Sequence, residues 1–220
     1  MDGIAFTVED GIGRITLDRP AAGNAIDLPL ARALLAAAIR CQTDDMIRCI
    51  VLTGNGRLFC AGGDVQLLAG AGDRRSDVLS ELIATFHAAV ARLARAPKPL
   101  VTLVNGPAAG AGFSLAMLGD VVIGARSAHF TAAYGAIGLT PDGGLSWLLP
   151  RLVGLRKAQD IILTNRRIKA DEAEAIGLVT RIVDDEALAD EGLKAAAALA
   201  DAPMAAVSYT HLTLPTIYSV

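Results

Sequence analysis

Two glycine-containing turns, Phe59-Cys-Ala-Gly-Gly-Asp64 and Asn105-Gly-Pro-Ala-Ala-Gly-Ala-Gly112, decide how this chain folds. The first follows the apolar run Cys49-Ile-Val-Leu-Thr53 and the second follows Leu100-Val-Thr-Leu-Val104, and each turn opens a helical stretch. The start of a helix has backbone N–H groups without helical acceptors and carries partial positive charge. If the two helix starts converge, their amides can form an oxyanion hole, in which two N–H donors stabilise an ester or thioester oxygen that gains charge.

The composition is that of one packed globular domain. Of the 220 residues, 53% are hydrophobic and 20% are charged, and the formal net charge is -3. The lack of a basic run argues against a nucleic-acid partner, because such binding depends on neutralising phosphates. The cysteines Cys41, Cys49 and Cys60 lack metal-ligand spacing, which predicts reduced, buried thiols in a cytoplasmic protein and no metal site.

The uncharged run between Pro99 and Gly119 is long enough to be considered as a membrane span. Pro107 and several glycines interrupt this run, so a strand, a turn and a buried helix are the better interpretation. The first residues also do not resemble a secretory signal. We therefore expect no membrane partner.

Apolar periodicity predicts alternating strands and helices, beginning with a hairpin around Asp10-Gly11. The predicted strands are Ile4–Glu9, Ile12–Leu17, Arg48–Thr53, Leu100–Val104, Val121–Ala125 and Leu178–Val183. The predicted helices are Leu28–Arg40 (with Asp27 as N-cap), Ser76–Arg95, Ala111–Leu118, Leu145–Leu152, Arg156–Leu163, Ala170–Ala175 and Glu186–Leu199. This alternation is typical of an α/β protein with a largely parallel sheet.

Three later stretches complete a pattern: Gly124-Ala-Arg-Ser-Ala-His-Phe130, Ile137-Gly-Leu-Thr-Pro-Asp-Gly-Gly144 and Leu149-Pro-Arg-Leu-Val-Gly154. Together with the two turns, and in this order, they resemble the enoyl-CoA hydratase/isomerase (crotonase) superfamily. The resemblance implies a spiral of ββα units, usually assembled as homotrimers or hexamers, that acts on an acyl-CoA substrate. CoA would arrive as part of the substrate, so no other cofactor is implied.

The resemblance also implies a set of site residues. The amides of Gly63 and Ala111 would form the oxyanion hole. Asn24, Ala25 and Ile26 would lie along the pantetheine and nucleotide, and Cys60, Ala61 and Gly62 would contact the adenine. Asp64 either lies at the adenine end or caps the helix predicted from Val65. The remaining substrate-binding candidates are Gly110, Ser114, Tyr134, Leu139, Pro141 and Trp147.

The acid/base groups depart from the hydratases of this family. Those enzymes add water with two glutamates, and the matching positions here are Ser114 and Tyr134. Neither side chain is a carboxylate, so a two-glutamate hydration is not expected. Asp142 matches the aspartate of a branch that shifts double bonds or isomerises ring epoxides on CoA thioesters. One carboxylate suffices for isomerisation, because a proton removed from one carbon can be returned to another.

Asp142 also has a structural interpretation, since Pro-Asp-Gly-Gly before a helix is an ordinary capping turn. A catalytic carboxylate would need surroundings that make it a useful base, and Leu139, Leu145 and Trp147 are candidates for an apolar enclosure.

An acyl-CoA isomerase is therefore the expected function, and three alternatives stay open. The first is a hydratase-type lyase, and the second is a non-catalytic acyl-CoA binder. The third is a hydrolase with Ser114 and His129 as a nucleophile–base dyad, in the manner of the Clp-type serine peptidases. His87 is expected on the solvated face of the long helix.

The composition changes abruptly after Ser208, where residues 209–220 become rich in threonine and tyrosine. Relatives of this fold continue with helices that close the acyl site and build the trimer. We interpret residues 1–208 as a crotonase-like domain that is truncated at its C-terminus. Residues 209–220 are interpreted as a non-native tail, with a genuine short variant as the alternative.

Overall fold

The computed structural model describes residues 2–64, 70 and 72–202. Its strands in chain order are β1 (Ile4–Glu9), β2 (Ile12–Leu17), β3 (Cys49–Gly54), β4 (Leu100–Val104), β5 (Ala108–Ala109), β6 (Val121–Ala125), β7 (His129–Thr131), β8 (Ile168–Lys169) and β9 (Arg181–Val183). The larger sheet has the order β1-β2-β3-β4-β6-β9, and the smaller sheet has the order β5-β7-β8.

The larger sheet is parallel from β2 to β9, and only the β1–β2 hairpin is antiparallel. Asp10 (φ 48°) and Gly11 (φ 75°) both adopt left-handed backbone conformations in the hairpin turn. Such a pair matches the right-handed twist of the flanking strands. The predicted hairpin and the predicted, largely parallel α/β sheet are confirmed.

The described helices are α1 (Leu28–Thr43), α2 (Arg75–Ala94), α3 (Ala111–Ala116), α4 (Leu145–Val153), α5 (Leu155–Thr164), α6 (Ala170–Ala175) and α7 (Leu188–Asp201). Asp27 caps α1 as predicted, because its carboxylate accepts a hydrogen bond of 2.8 Å from Leu30 N. The strand predicted over Leu178–Val183 begins only at Arg181. Leu178 and Val179 instead donate their amides to the carbonyl of Ala173, in a turn that ends α6.

Helices cover both faces of the central strands, which are therefore buried on both sides. Ile50 and Leu52 of β3 belong to the core that includes α1 and α2, whereas Cys49 and Val51 belong to a second core formed with α7. This alternation follows from the two-residue period of a strand. The carboxyl ends of β3 and β4 lead into the two glycine-containing turns.

No helix of the described residues is long and apolar enough to cross a membrane. The uncharged run after Pro99 forms β4, a turn, β5 and α3. The helix predicted from Val65 and the interpreted tail over residues 209–220 lie outside the described residues.

Candidate functional site

The two glycine-containing turns lie against each other. Cys60 N donates to the carbonyl of Pro107 (3.2 Å), and Ala109 N donates to the carbonyl of Cys60 (2.9 Å). Glycine permits this close approach, because a Cβ on Gly62 would lie 2.9 Å from the carbonyl oxygen of Ala109. A Cβ on Gly112 would overlap the carbonyl oxygen of Cys60. The glycines therefore fix the spacing of the two turns.

Among the described residues, the amide of Gly63 is left without an acceptor. The carbonyl of Gly62 accepts a hydrogen bond of 2.7 Å from Ile26 N. In a trans peptide the N–H points opposite to the C=O, so Gly63 N–H points away from Ile26. No group of the described residues accepts a hydrogen bond from it, and Gly63 is exposed.

The amide of Ala111 is free for a different reason. Ala111 is the first residue of α3, and the N–H of a first helical residue has no acceptor inside its own helix. Within the described chain it also has no acceptor elsewhere. A Cβ on Gly62 would lie 3.6 Å from Ala111 N, so the two predicted donors belong to neighbouring turns.

Asp142 lies at the centre of a hydrogen-bonded cluster in the loop before α4. Tyr134 Oη donates to Asp142 Oδ1 (2.8 Å), and His87 Nε2 lies 3.0 Å from Asp142 Oδ2. Ser114 Oγ donates to the backbone carbonyl of Asp142 (2.9 Å) and lies 3.1 Å from Tyr134 Oη. The structure thus joins Ser114 and Tyr134, the two positions predicted to match the glutamates of hydratases, to the single predicted carboxylate.

The tyrosine in this cluster is a proton donor. Burial raises the pKa of the Tyr134 phenol well above its ordinary value, and the negative charge of Asp142 acts in the same direction. The phenol therefore keeps its proton near neutral pH and donates it in the hydrogen bond to Asp142. This bond orients the carboxylate.

The Pro-Asp-Gly-Gly stretch does form a turn at the start of α4, since Leu145 N donates to the carbonyl of Asp142 (3.0 Å), but the carboxylate of Asp142 does not cap the helix. The N-cap of α4 is Gly144, and no side chain caps this helix. The predicted apolar enclosure is also only partly present. Leu145 is buried, but Leu139 is 48% exposed and Trp147 is 61% exposed. The indole of Trp147 instead stacks under the guanidinium of Arg151, 4.0 Å from the ring centroid.

His87 was predicted on the solvated face of the long helix, and its side chain is indeed 43% exposed, but the prediction missed that its Nε2 lies 3.0 Å from Asp142 Oδ2. His87 lies at the edge of the buried face of α2, next to Phe86, and the two ring centroids are 6.1 Å apart. The helical period could have indicated this position, because His87 precedes the buried Val90 by three residues. The contact with Asp142 has no local signal, since 55 residues separate the two side chains.

The residues predicted to lie along CoA lie in the loop beneath the Gly63 turn. Asn24, Ala25 and Ile26 are buried. The side-chain amide of Asn24 donates to the carbonyls of Asn55, Leu58 and Phe59, so this side chain holds the loop together. Roles of these backbones toward CoA stay predictions.

The first turn is held from both sides. Cys60 Sγ donates to the carbonyl of Asn24 (3.1 Å), and burial raises the pKa of the thiol to about 12. Asp64 pairs with the guanidinium of Arg19 (3.4 Å). Ala61 is exposed beside them, whereas Gly62 is buried. The predicted buried, unpaired state of the three cysteines is confirmed.

The structure does not form the Ser114–His129 dyad. The hydroxyl of Ser114 is bonded to Tyr134 and Asp142, and Nδ1 of His129 is buried without a partner in the described part of the chain. Burial also lowers the pKa of His129, as does the nearby charge of Arg167. Within residues 2–64, 70 and 72–202, no group of three His, Cys, Asp or Glu side chains is placed to hold a metal ion.

Comparison with known families decides the assignment. The family model described as enoyl-CoA hydratase/isomerase matches residues 7–214. The chain belongs to the enoyl-CoA hydratase/isomerase family. Solved structures of this family confirm the crotonase-like fold. One protein of Pseudomonas aeruginosa has a TM-score of 0.91 at 37% identity and covers 100% of this chain and 94% of its own. An enoyl-CoA hydratase of Polaromonas sp. has a TM-score of 0.91 at 32% identity, and the match covers 99% of this chain and 84% of the hydratase.

Curated members of the enoyl-CoA hydratase/isomerase family that resemble this chain have different reactions in their names. A 1,2-epoxyphenylacetyl-CoA isomerase of Escherichia coli is 40% identical, over 92% of this chain and 78% of the relative. A probable enoyl-CoA hydratase of Rhodobacter capsulatus is 40% identical, over 92% of this chain and 77% of the hydratase. A 4-chlorobenzoyl coenzyme A dehalogenase of Arthrobacter sp. is 35% identical, over 92% of this chain and 72% of the dehalogenase. Membership of the family therefore does not specify one reaction.

Proposed function

We propose that this family member is an acyl-CoA isomerase that shifts a double bond, or isomerises a ring epoxide, through an enolate. The observation that carries the proposal is the cluster around Asp142. Ser114 and Tyr134 stand where the family's hydratases carry glutamates, and both are hydrogen-bonded to Asp142. The site is therefore built around one carboxylate, which is the number that an isomerisation needs.

In the proposed mechanism the thioester carbonyl oxygen accepts hydrogen bonds from the amides of Gly63 and Ala111. Both donors are main-chain atoms without other acceptors among the described residues. They gain strength as negative charge moves onto the oxygen, and each contributes about 3 kcal/mol to stabilising the transition state. This makes the neighbouring C–H acidic enough to be removed.

Asp142 then acts as the base and afterwards as the acid. Its carboxylate removes a proton from the carbon next to the thioester, and the electron pair of that C–H bond moves into the enolate. The resulting carboxylic acid returns a proton to the γ-carbon, so the double bond shifts and the atoms balance. For a ring epoxide, the electron pair of the enolate forms a C=C bond to the ring carbon as its C–O bond breaks, and the same acid protonates the released oxygen. The hydrogen bond from Tyr134 holds Oδ1 in place during both steps.

The substrate would lie between the two glycine-containing turns and the Asp142 loop. CoA would run past Asn24–Ile26 and residues 60–64, while the acyl chain would pass Gly110, Ser114 and Tyr134. Leu139, Pro141 and Trp147 would border the acyl pocket on its exposed side. CoA within the substrate is the only cofactor that we propose, and a homotrimer or hexamer in the cytoplasm is the expected setting.

Hydration by water and Asp142 alone is the second candidate function. The Asp142 side chain is 30% exposed, so water can reach its carboxylate. The third candidate is a non-catalytic acyl-CoA binder, because the two glutamates of the family's hydratases are replaced.

The test compares the wild type with Asp142→Asn on a panel of 2-enoyl, 3-enoyl and aryl-acetyl CoA thioesters, with products analysed by mass spectrometry and NMR. Asp184→Asn is the matched control, because Asp184 is an exposed aspartate paired with Arg126. We expect products of unchanged mass, and a rate that Asp142→Asn lowers by about 10²–10⁴-fold while the control leaves it unchanged. Products heavier by one water would favour hydration. Tight thioester binding without turnover in either protein would favour the binder.

A further inference from the structure

We infer that His87 relays protons between Asp142 and solvent, so that the hydrogen taken from the substrate exchanges with water during catalysis. The inference rests on the proposed function in giving Asp142 the role of base. His87 acts through Asp142 and is not placed against the reacting atoms, so it is a positioning and relay residue.

The two contacts of His87 Nε2 suit a relay. Nε2 lies 3.0 Å from Asp142 Oδ2 and 3.3 Å from the backbone nitrogen of Gly143. A ring nitrogen either carries a hydrogen and donates, or lacks it and accepts. With its hydrogen, Nε2 donates to the carboxylate. Without it, Nε2 accepts from Gly143 N–H or from a protonated Asp142. Both protonation states therefore have a partner in one geometry.

The rest of the imidazole opens toward water. The His87 side chain is 43% exposed, and no described residue is a hydrogen-bond partner of its Nδ1. Phe86 packs beside the ring, with an interplanar angle of 50°. His87 thus has one nitrogen on the carboxylate, while its Nδ1 has no hydrogen-bond partner among the described residues and the side chain as a whole is 43% exposed.

The other oxygen of Asp142 leads only into the protein. Oδ1 is bound by the hydroxyl of Tyr134, which is bonded to Ser114, and both side chains are buried. Ser114 in turn donates to the backbone carbonyl of Asp142 itself, which closes the chain of hydrogen bonds. Among the described side chains bonded to the carboxylate, His87 is the one that reaches the surface, at 43% exposure, and it adds to the contact with water that the 30% exposed side chain of Asp142 makes itself.

Each step of the relay moves one proton and no electrons. Protonated Asp142 passes its proton from Oδ2 to Nε2, which gives a carboxylate and an imidazolium. The imidazolium then releases the proton on Nδ1 to water. In the reverse sequence water protonates Nδ1 and Nε2 returns its proton to Oδ2, which loads Asp142 with hydrogen from the solvent.

The test follows hydrogen exchange in D₂O with the wild type and His87→Gln. Glutamine can still donate an N–H to the carboxylate, but it cannot be protonated and deprotonated near neutral pH. One reaction is isomerisation of a 3-enoyl-CoA, with deuterium at the γ-carbon of the product measured by NMR. The other reaction is exchange of the α-hydrogens of a saturated acyl-CoA. This exchange requires Asp142 to remove a proton from the α-carbon and to return a deuteron, but it requires no isomerisation.

We expect the wild type to place solvent deuterium in the product and to exchange the saturated thioester. His87→Gln should slow the exchange by about tenfold or more and raise the retention of substrate hydrogen, with a smaller loss of isomerisation rate. The matched control is His129→Gln, on β7, which should behave as the wild type. His87→Asn is the second variant if the glutamine protein fails to fold or to bind CoA.

Full retention of substrate hydrogen by the wild type would overturn the relay. Equal exchange rates in the wild type and His87→Gln would also overturn it, as would an absence of exchange in the wild type. If the wild type exchanges the saturated thioester but isomerises nothing, while His87→Gln loses the exchange, the proposed isomerase function fails and the relay is supported.

Discussion

Replacing Ala111 with proline removes one amide hydrogen from the proposed oxyanion hole and leaves the helix that carries it intact. Proline is well tolerated at the first position of a helix, because the N–H there has no helical acceptor and the backbone angle is already suitable. The preceding residue, Gly110, lacks the Cβ that usually conflicts with a following proline. The hydrogen bond from Ser114 N to Gly110 O (3.1 Å), which starts α3, does not involve the lost hydrogen.

The expected loss follows from the number of donors. Removing one of two oxyanion donors costs about 3–4 kcal/mol of transition-state stabilisation, so kcat for isomerisation should fall by about 10²–10³-fold. The melting temperature should change little, since about 1 kcal/mol shifts it by only about 2–4 °C in a domain of this size. Ala111→Gly is the matched control, because it keeps the N–H and changes only the helix propensity, by about 1 kcal/mol or less.

The assay measures kcat and KM for a 3-enoyl-CoA with the wild type and both variants, together with circular dichroism during heating. The donor role of Ala111 would be refuted if folded Ala111→Pro kept its kcat within about threefold of Ala111→Gly, because a loss of even one weak donor exceeds that factor.

Two further predictions concern packing and pH. Gly112→Ala should lower the free energy of unfolding by about 3 kcal/mol, because its Cβ overlaps the carbonyl oxygen of Cys60. Gly63→Ala should change the free energy of unfolding by under about 1 kcal/mol, since no atom of the described residues lies within 4 Å of its Cβ. Equal losses of the two variants in urea denaturation would contradict the spacing argument. Burial raises the pKa of Cys60 from 9.0 to about 12, so the unfolded chain loses the thiol proton first as the pH rises, and this contribution to stability is present below pH 9.0 and is lost between pH 9.0 and about 12. Cys60→Ala should therefore show a smaller fall in unfolding free energy from pH 8 to about 10.5 than the wild type, and identical slopes would count against this ionisation.

Local signals predicted the regular elements well. The Asp10-Gly11 turn places two residues in the left-handed region, which is typical of a tight hairpin. The run of β4 is rich in β-branched residues, which favour a strand. Both elements were predicted with their observed bounds. The small sheet of β5, β7 and β8 was not predicted. Its strands are two or three residues long, and their hydrogen bonds come from segments that are distant in sequence.

Some features of the site are determined by neighbouring residues in the sequence, and others depend on contacts between distant segments. Free amides at Gly63 and Ala111 follow from a glycine turn and a helix start, which are local features. The exposure of Leu139 and Trp147 depends on which elements cover the loop around Asp142, and the sequence of the loop does not contain that information. The contact of His87 with Asp142 depends in the same way on how α2 packs against this loop.

Membership of the family implies how the thioester binds, but it leaves open what happens to the enolate. The proposed thioester binding uses main-chain atoms, so it requires the close approach that Gly62 and Gly112 permit and is insensitive to other side chains nearby. The fate of the enolate depends on side chains. Ser114 and Tyr134, the positions predicted to match the two glutamates of the family's hydratases, carry hydroxyl groups, and both are hydrogen-bonded to Asp142. In the proposed mechanism an enolate formed here would meet the carboxylate of Asp142, which can return a proton, and no described residue of the cluster supplies a second carboxylate to assist in activating water. That difference favours isomerisation over hydration within one and the same fold.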